Sequence, residues 1–163
     1  MTPIEPQPLD FAATWNAYTE HNMRHRRSDD AERAFWHQHA GGYDEHLHND
    51  PSSYQATLNA IREYVCPEDT LLDVGAGTGR FALPLAAHVQ RVTALDLSLD
   101  MLAILTRSAA SRQITNLHTV CGAWEDTPVP PHDVVLAAWS LYRQRDILTG
   151  LHKLIDSTRR ALI

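Results

Sequence analysis

The sequence predicts an α/β protein: a parallel sheet of at least four strands, covered by helices on both faces, with a helical extension before it. Three observations carry that expectation. Four short runs, Leu71–Val74, Arg91–Leu95, Leu117–Cys121 and Asp133–Trp139, alternate with segments of helical periodicity, the element order that builds βαβ units. The runs are largely apolar rather than polar at every second residue, as strands buried on both faces are. The first run ends on an acid and opens into a turn with three alternating glycines, Asp73-Val74-Gly75-Ala76-Gly77-Thr78-Gly79-Arg80. Glycines admit positive φ and let a ligand press against bare backbone, and the start of the following helix adds free N–H groups.

Before the sheet, residues 1–9 contain three prolines and read as an extended arm. A helical pattern begins at Asp10, with Phe11, Trp15 and Tyr18 about a turn apart. Asp29 followed by Glu32 has the spacing of a capping box, Ala31, Ala34 and Phe35 give a second apolar stripe, and Gly41-Gly42 is expected to break that helix. Asp50-Pro51 marks the next start, with Tyr54, Leu58, Ile61 and Val65 in helical register and Pro67 as the stop. These features divide the chain into an arm and helical lid, residues 1–50, and an α/β domain, residues 51–163.

Within that domain the helix after the glycines runs from Phe81 to His88, with Pro84 early in it, where a missing N–H costs least. Ser98 caps a helix reaching about Ser108, and Ile147, Leu151, Leu154, Ile155 and Thr158 mark the last one. Ala161-Leu162-Ile163 look like the opening of a fifth strand.

Composition narrows the function. A chain of 163 residues allows one domain with a real core. A net charge of −6 argues against nucleic acid as a partner, which needs a basic footprint. No apolar run approaches a membrane span, and the first residues lack a basic start and apolar block. Cys66 and Cys121 make no metal-type pair. The expected setting is cytoplasmic, without a membrane partner. His21, His25, His37, His39, His46 and His48 form no ligand motif, so no metal is expected.

The glycine spacing separates the nucleotide-binding classes. Dinucleotide folds use G-x-G-x-x-G and phosphate loops end in G-K-[ST]; here the pattern is D-x-G-x-G-x-G, and no lysine follows. Asp96 ends the second run about 20 residues on, where such folds bind ribose hydroxyls. Leu97-Ser98-Leu99-Asp100-Met101-Leu102 then leads into the next helix. These segments resemble the class I S-adenosylmethionine-dependent methyltransferases, small-molecule type, over about residues 35–163. The resemblance implies a Rossmann-like three-layer α-β-α fold with strand order 3-2-1-4, lacking the C-terminal third of a seven-stranded sheet. A fragment and a natural truncation both fit that shortfall. If residues 1–163 are all there is, the fourth strand would present an unpaired apolar edge at Val134 to Ala138, favouring self-association or marginal stability.

The same resemblance implies S-adenosyl-L-methionine as cofactor, with Asp73, Gly75, Ala76, Gly77 and Gly79 around its methionine tail. Asp96 would take the ribose, and Leu97 and Met101 would flank the adenine. After the third strand many members carry Gly-Asp-Ala, whereas this chain has Cys121-Gly122-Ala123-Trp124-Glu125. Ala123 occupies the acid's place, which leaves adenine recognition to Trp124 or Glu125. After the fourth strand Trp139, Ser140 and Tyr142 are candidates for the wall of an acceptor pocket, and the Asn-Pro-Pro-Tyr signature of amino-methylating nucleic-acid enzymes is missing. Ala40-Gly41-Gly42-Tyr43-Asp44 resembles the A-x-x-Y-D segment placed over the cofactor as part of a lid. Tyr43 is therefore a candidate cofactor contact and, with His39 and His46, a candidate catalytic side chain. Methyl transfer needs alignment and exclusion of water more than a fixed nucleophile. The leading expectation is methyl transfer to a small molecule. A cofactor-binding module or partner subunit without turnover is the alternative, and a nicotinamide oxidoreductase is disfavoured by the glycine spacing.

Overall fold

The computed structural model describes residues 10–22, 28–47, 51–144 and 146–163. Strands β1 (Thr70–Val74), β2 (Arg91–Asp96), β3 (Leu117–Cys121), β4 (His132–Leu136) and β5 (Thr158–Leu162) form one parallel sheet in the order β3-β2-β1-β4-β5. Helices α1 (Phe11–Asn22), α2 (Asp29–Leu47) and α3 (Pro51–Arg62) precede it. Helices α4 (Ala82–Leu85), α5 (Leu99–Ser111) and α6 (Ile147–Asp156) alternate with its strands.

The alternation of side chains along a strand sorts the core into two layers. Leu71, Val92, Ala94, Val134 and Leu136 face Leu58 and Ile61 of α3, Leu85 of α4, and Leu102 and Leu105 of α5. Leu72, Val74, Leu95 and Val135 face Leu154 of α6 and Trp124 on the other side. Each fully buried leucine contributes about 1.5–3 kcal/mol relative to exposure, so a strand apolar on both faces is stable only when sandwiched in this way.

The amino end of the sheet is closed by hydrogen bonds. Thr70 donates both its N–H and its hydroxyl to Asp133 Oδ2, at 2.8 and 2.7 Å, and these bonds hold the Asp133 carboxyl below the usual carboxylate range. Asn116 Nδ2 donates to the carbonyls of Ala86 (2.9 Å) and Val89 (3.0 Å). His132 lies between the Pro130 carbonyl (Nδ1, 2.7 Å) and the Thr93 hydroxyl (Nε2, 2.9 Å). Burial pushes the His132 imidazole pKa down and keeps the ring neutral. Arg160 of β5 pairs with Asp69 just before β1.

Several expectations are corrected. Strand β4 is not an edge: β5 follows α6 directly and pairs with it, Val134 against Ala161 and Val135 against Leu162. The expected self-association through an open β4 edge therefore loses its basis. Thr158 does not extend the last helix, because α6 stops at Asp156 and Thr158 opens β5. Strand β4 ends at Leu136 rather than Trp139, whose φ of +54° is incompatible with a strand. The segment Phe81 to His88 is α-helical only over Ala82–Leu85 and tightens to a 3₁₀ turn at Ala86–His88.

Helix α2 runs through Gly41-Gly42 to Leu47. Each glycine costs a helix roughly 1 kcal/mol, offset here by side-chain packing on either side. Phe35 stacks on His39 at 4.1 Å, Trp36 meets Tyr43 edge-on at 5.2 Å, and the helix packs on α5. Its cap is Ser28, not Asp29, since Ser28 Oγ accepts from the Ala31 N–H at 3.1 Å. The arm expected over residues 1–9 lies outside the described residues, as do His25 and His48.

Candidate active site

The carboxyl ends of the strands open into a crevice, the position at which open α/β sheets bind ligands. Its floor is the glycine turn. The N–H groups of Gly75 and Ala76 both donate to the Leu95 carbonyl, at 2.8 and 3.0 Å. Gly77 N–H donates to Asp96 Oδ2 at 2.8 Å. The exits of β1 and β2 are thus bonded into one unit. Asp96 Oδ1 also accepts from the Ser98 N–H at 2.8 Å, which ties the same carboxylate to the start of α5.

The glycines do different things. A Cβ on Gly75 (φ +77°) would sit 2.3 Å from Ser140 Cβ, so the turn needs glycine for close backbone approach to the loop after β4. Gly77 (φ +55°) has nothing within 4 Å of that position: it leaves room above the turn that a ligand could occupy. Gly79 packs inward against Leu83 and Leu105.

Gly75, Gly77, Asp96, Leu97, Met101, Ala123, Trp124, Trp139, Ser140, Tyr142 and Tyr43 line this single crevice. Asp73, Ala76 and Gly79 do not line it. Ala76 is in the core, and Asp73 lies beneath the turn at 3 % exposure, where it accepts a hydrogen bond from the Ala82 N–H. Burial and, secondarily, the charge of Asp96 push the Asp73 carboxyl up to about 7.

Trp124 reaches the crevice, yet its ring serves packing. Its Nε1 donates to the Gly150 carbonyl at 3.0 Å, and the Lys153 ammonium stands 4.5 Å over the ring. Lys153 also donates to the Trp124 and Thr127 carbonyls and so holds the loop after β3. Trp139 keeps its left-handed backbone while its ring lies against Phe81 (5.7 Å) and the Arg80 guanidinium (5.2 Å). Strain of this kind collects where a loop must aim side chains at a site. Ser140 Oγ is buried without a hydrogen-bond partner.

Of the histidine candidates, His39 does not line the crevice. His39 is exposed, stacked on Phe35 with its Nδ1 bonded to the Phe35 carbonyl, which corrects its candidacy as a base. His37 is exposed on α2 and meets Asp100 at 3.2 Å. His46 belongs to α2, and its side chain lies outside the described part. Among the described residues no three histidine, cysteine, aspartate or glutamate side chains gather as a metal site would need.

Sequence reasoning missed other parts of the wall, among them Asp29, Glu32 and Trp36 from α2, and Gln144 from the loop before α6. Glu32 is 1 % exposed, and its Oε1 accepts from Trp36 Nε1 at 2.7 Å. The signal existed, since Glu32, Trp36 and Tyr43 are spaced by four and seven and share a helix face; the expected break at Gly41-Gly42 hid it. Gln144 had no local pattern to reveal it.

The methyltransferase-domain family model matches residues 71–161, more than half of the chain. An uncharacterized protein of Haemophilus influenzae is 39 % identical over 99 residues, 59 % of this chain and 36 % of that protein. The chain thus spans about a third of that relative's length. Magnesium protoporphyrin IX methyltransferase from Synechocystis with bound SAH superposes with a TM-score of 0.68 at 16 % identity, covering 83 % of this chain and 70 % of that one. A DhpI–SAM–HEP complex gives 0.64 at 21 % identity, covering 77 % and 58 %. No helix among the described residues is long and apolar enough to cross a membrane. With the sheet order, the D-x-G-x-G-x-G turn bonded to Asp96 and the family match over the same residues in agreement, the chain belongs to the methyltransferase-domain family, on a Rossmann-like class I fold.

Proposed function

We propose that this chain binds S-adenosyl-L-methionine in the crevice and methylates a small-molecule acceptor in a cytoplasmic setting. The observation that carries the proposal is the unit of Gly77 and Asp96 on the crevice floor, open space above the glycine and a carboxylate fixed beside it. Two structural neighbours whose descriptions name SAM or SAH support the choice of ligand.

The residues present fit that cofactor. Each Asp96 oxygen can accept more than one hydrogen bond, so the carboxylate can receive ribose hydroxyls while it holds the turn. Leu97 and Met101 offer apolar flanks for the adenine, and Ala123, the Trp124 backbone and Glu125 stand where its amino group would be read. The bound cofactor would supply an electrophilic methyl group on a sulfonium. The protein's part is alignment and dehydration: Trp139, Ser140 and Tyr142 shape the acceptor side, and α2 with Trp36 and Tyr43 covers the crevice as a lid.

Isothermal titration tests the reading. S-adenosylhomocysteine should bind and NAD should not, and Asp96→Ala should weaken binding by about 1–3 kcal/mol. Equal affinity for NAD would overturn it. Amide exchange over residues 30–47 should slow with the product bound; protection confined to Gly75–Gly79 would reduce α2 to a structural extension.

A further inference from the structure

We propose that Lys153 of α6 is a positioning residue for the cofactor's base: it engages the carbonyls of the loop after β3, and so leaves that loop to read the base edge through N–H groups. This rests on the S-adenosylmethionine reading and adds to it the determinant of base selectivity.

The loop's own bonds close a tight turn. The Asp126 and Thr127 N–H groups both donate to the Ala123 carbonyl, at 3.2 and 3.0 Å. A Cβ on Gly122 would sit 2.0 Å from Thr127 Oγ1, so the turn closes only over glycine. Gly122 N–H donates to the Asp96 carbonyl at 3.0 Å, which joins the turn to the end of β2. The remaining fastenings come from α6. Lys153 Nζ donates to the carbonyls of Trp124, Glu125 (3.3 Å) and Thr127 (2.7 Å), three acceptors for the three donors of an ammonium. Trp124 Nε1 reaches the same helix at the Gly150 carbonyl, 3.0 Å away. Lys153 is the chain's only lysine, and its charge makes its bonds the stronger kind.

These bonds decide what the loop offers a ligand. The carbonyls of Ala123, Trp124, Glu125 and Thr127 are all engaged inside the chain. The N–H groups of Ala123 and Trp124 have no hydrogen-bond partner among the described residues, and both residues line the crevice. Trp124 is 4 % exposed, and an unpaired donor so placed is costly until a ligand meets it. The Ala123 side chain is a methyl group and reads nothing polar. The loop therefore favours a base that turns a lone pair toward it. Adenine has one at N1, whereas hypoxanthine carries a proton there. Without the ammonium, three carbonyls lose their donor and the loop is free to present either kind of group.

The test compares S-adenosylhomocysteine with S-inosylhomocysteine, which differs only at the base edge, by calorimetry on the full chain. The parent should bind the adenine ligand about tenfold or more tighter. Lys153→Met should weaken that ligand about tenfold and bring the two within about threefold of each other. Lys153→Gln keeps two N–H donors and should move the ratio the same way; it decides the matter where Lys153→Met does not fold. In the parent, amide exchange at Ala123 and Trp124 should slow when S-adenosylhomocysteine is bound. A merely structural lysine would weaken both ligands by one common factor and leave their ratio as in the parent, and that result would overturn the proposal. So would unchanged binding in the lysine variants, equal affinities in the parent, or exchange at Ala123 and Trp124 that ignores the ligand. Failure of the parent to bind S-adenosylhomocysteine at all would instead overturn the S-adenosylmethionine reading beneath it.

Discussion

The two ends of the one sheet are built on opposite terms. At the amino end polar groups meet partners inside the protein: Thr70 with Asp133, Asn116 with two helix-end carbonyls, His132 with Pro130 and Thr93. The exception nearby is Arg62 Nε, at the end of α3. At the carboxyl end the backbone is strained at Trp139, three glycines hold positive φ, and the buried oxygens of Ser140 and Gln144 await donors. Strand burial is alike at both ends, so apolar packing does not distinguish them. What differs is whether hydrogen-bonding capacity is used up within the chain, and the end where it is not is the end that holds the crevice.

The largest expected effect tests whether burial of charge at the carboxyl end costs stability. The Asp73 carboxyl is raised from 3.8 to about 7 in the folded chain. At low pH both folded and unfolded chains hold the proton. As pH rises through the window between those values the unfolded chain releases it first, so stability falls, by about 4 kcal/mol when the shift is expressed in full. Asp73→Asn keeps an oxygen for the Ala82 N–H and removes the titration. Denaturant unfolding at pH 5 and pH 8 should show the variant gaining on the parent as pH rises. Parallel behaviour at the two values would mean that Asp73 is not held protonated beneath the turn.

Next is the turn itself. Gly75→Ala forces a methyl against Ser140 Cβ at a positive φ, and it should cost about 2–4 kcal/mol and abolish ligand binding. Gly77→Ala meets open space, so it should cost only about 1–2 kcal/mol of backbone strain while still obstructing the ligand. Thermal melts together with S-adenosylhomocysteine titrations separate the two. If Gly77→Ala bound normally, the space above that residue would not be the ligand's.

These contrasts also explain what the sequence revealed. The strands were legible because an apolar run between turn residues has few other solutions, and β1, β2 and β3 lie where their residues indicate. The pairing of Gly77 with Asp96 at the crevice was legible because a tight turn after a strand demands particular residue types at particular spacing. Asp73 was misplaced because a motif acid does not announce whether it faces the ligand or caps the helix beneath. Helix α2 was cut short because propensity at Gly41-Gly42 is local, whereas the stacking of Phe35 on His39 and the packing on α5 that carry the helix through are not. Gln144 became visible only once the fold buried its side chain and left the oxygen unpaired.

A smaller effect belongs to the amino end. Asn116→Ala leaves the Ala86 and Val89 carbonyls without their donor, for about 1–3 kcal/mol. Its affinity for S-adenosylhomocysteine should not change, because the bonds lie at the opposite end from the crevice. A loss of affinity on the scale of the stability loss would erase the distinction between the two ends.

The smallest effect probes the seam between the N-terminal helices and the site. Trp15 of α1 donates its indole N–H to the Gln144 carbonyl at 2.9 Å, so a residue 129 positions away in sequence fixes the backbone that carries the orphaned amide. Trp15→Phe keeps an aromatic ring and removes only the donor. A part-buried neutral hydrogen bond of this sort contributes about 1 kcal/mol, so the melting temperature should fall by a few degrees, of the order expected for a domain of this size. The informative signal is local. Amide exchange should quicken over residues 141–150, where the loop and the first turns of α6 lose their tether, and stay unchanged in β1 and β2. Exchange that quickens equally across the sheet would show that α1 stabilises the whole domain and does not hold the loop before α6 in place.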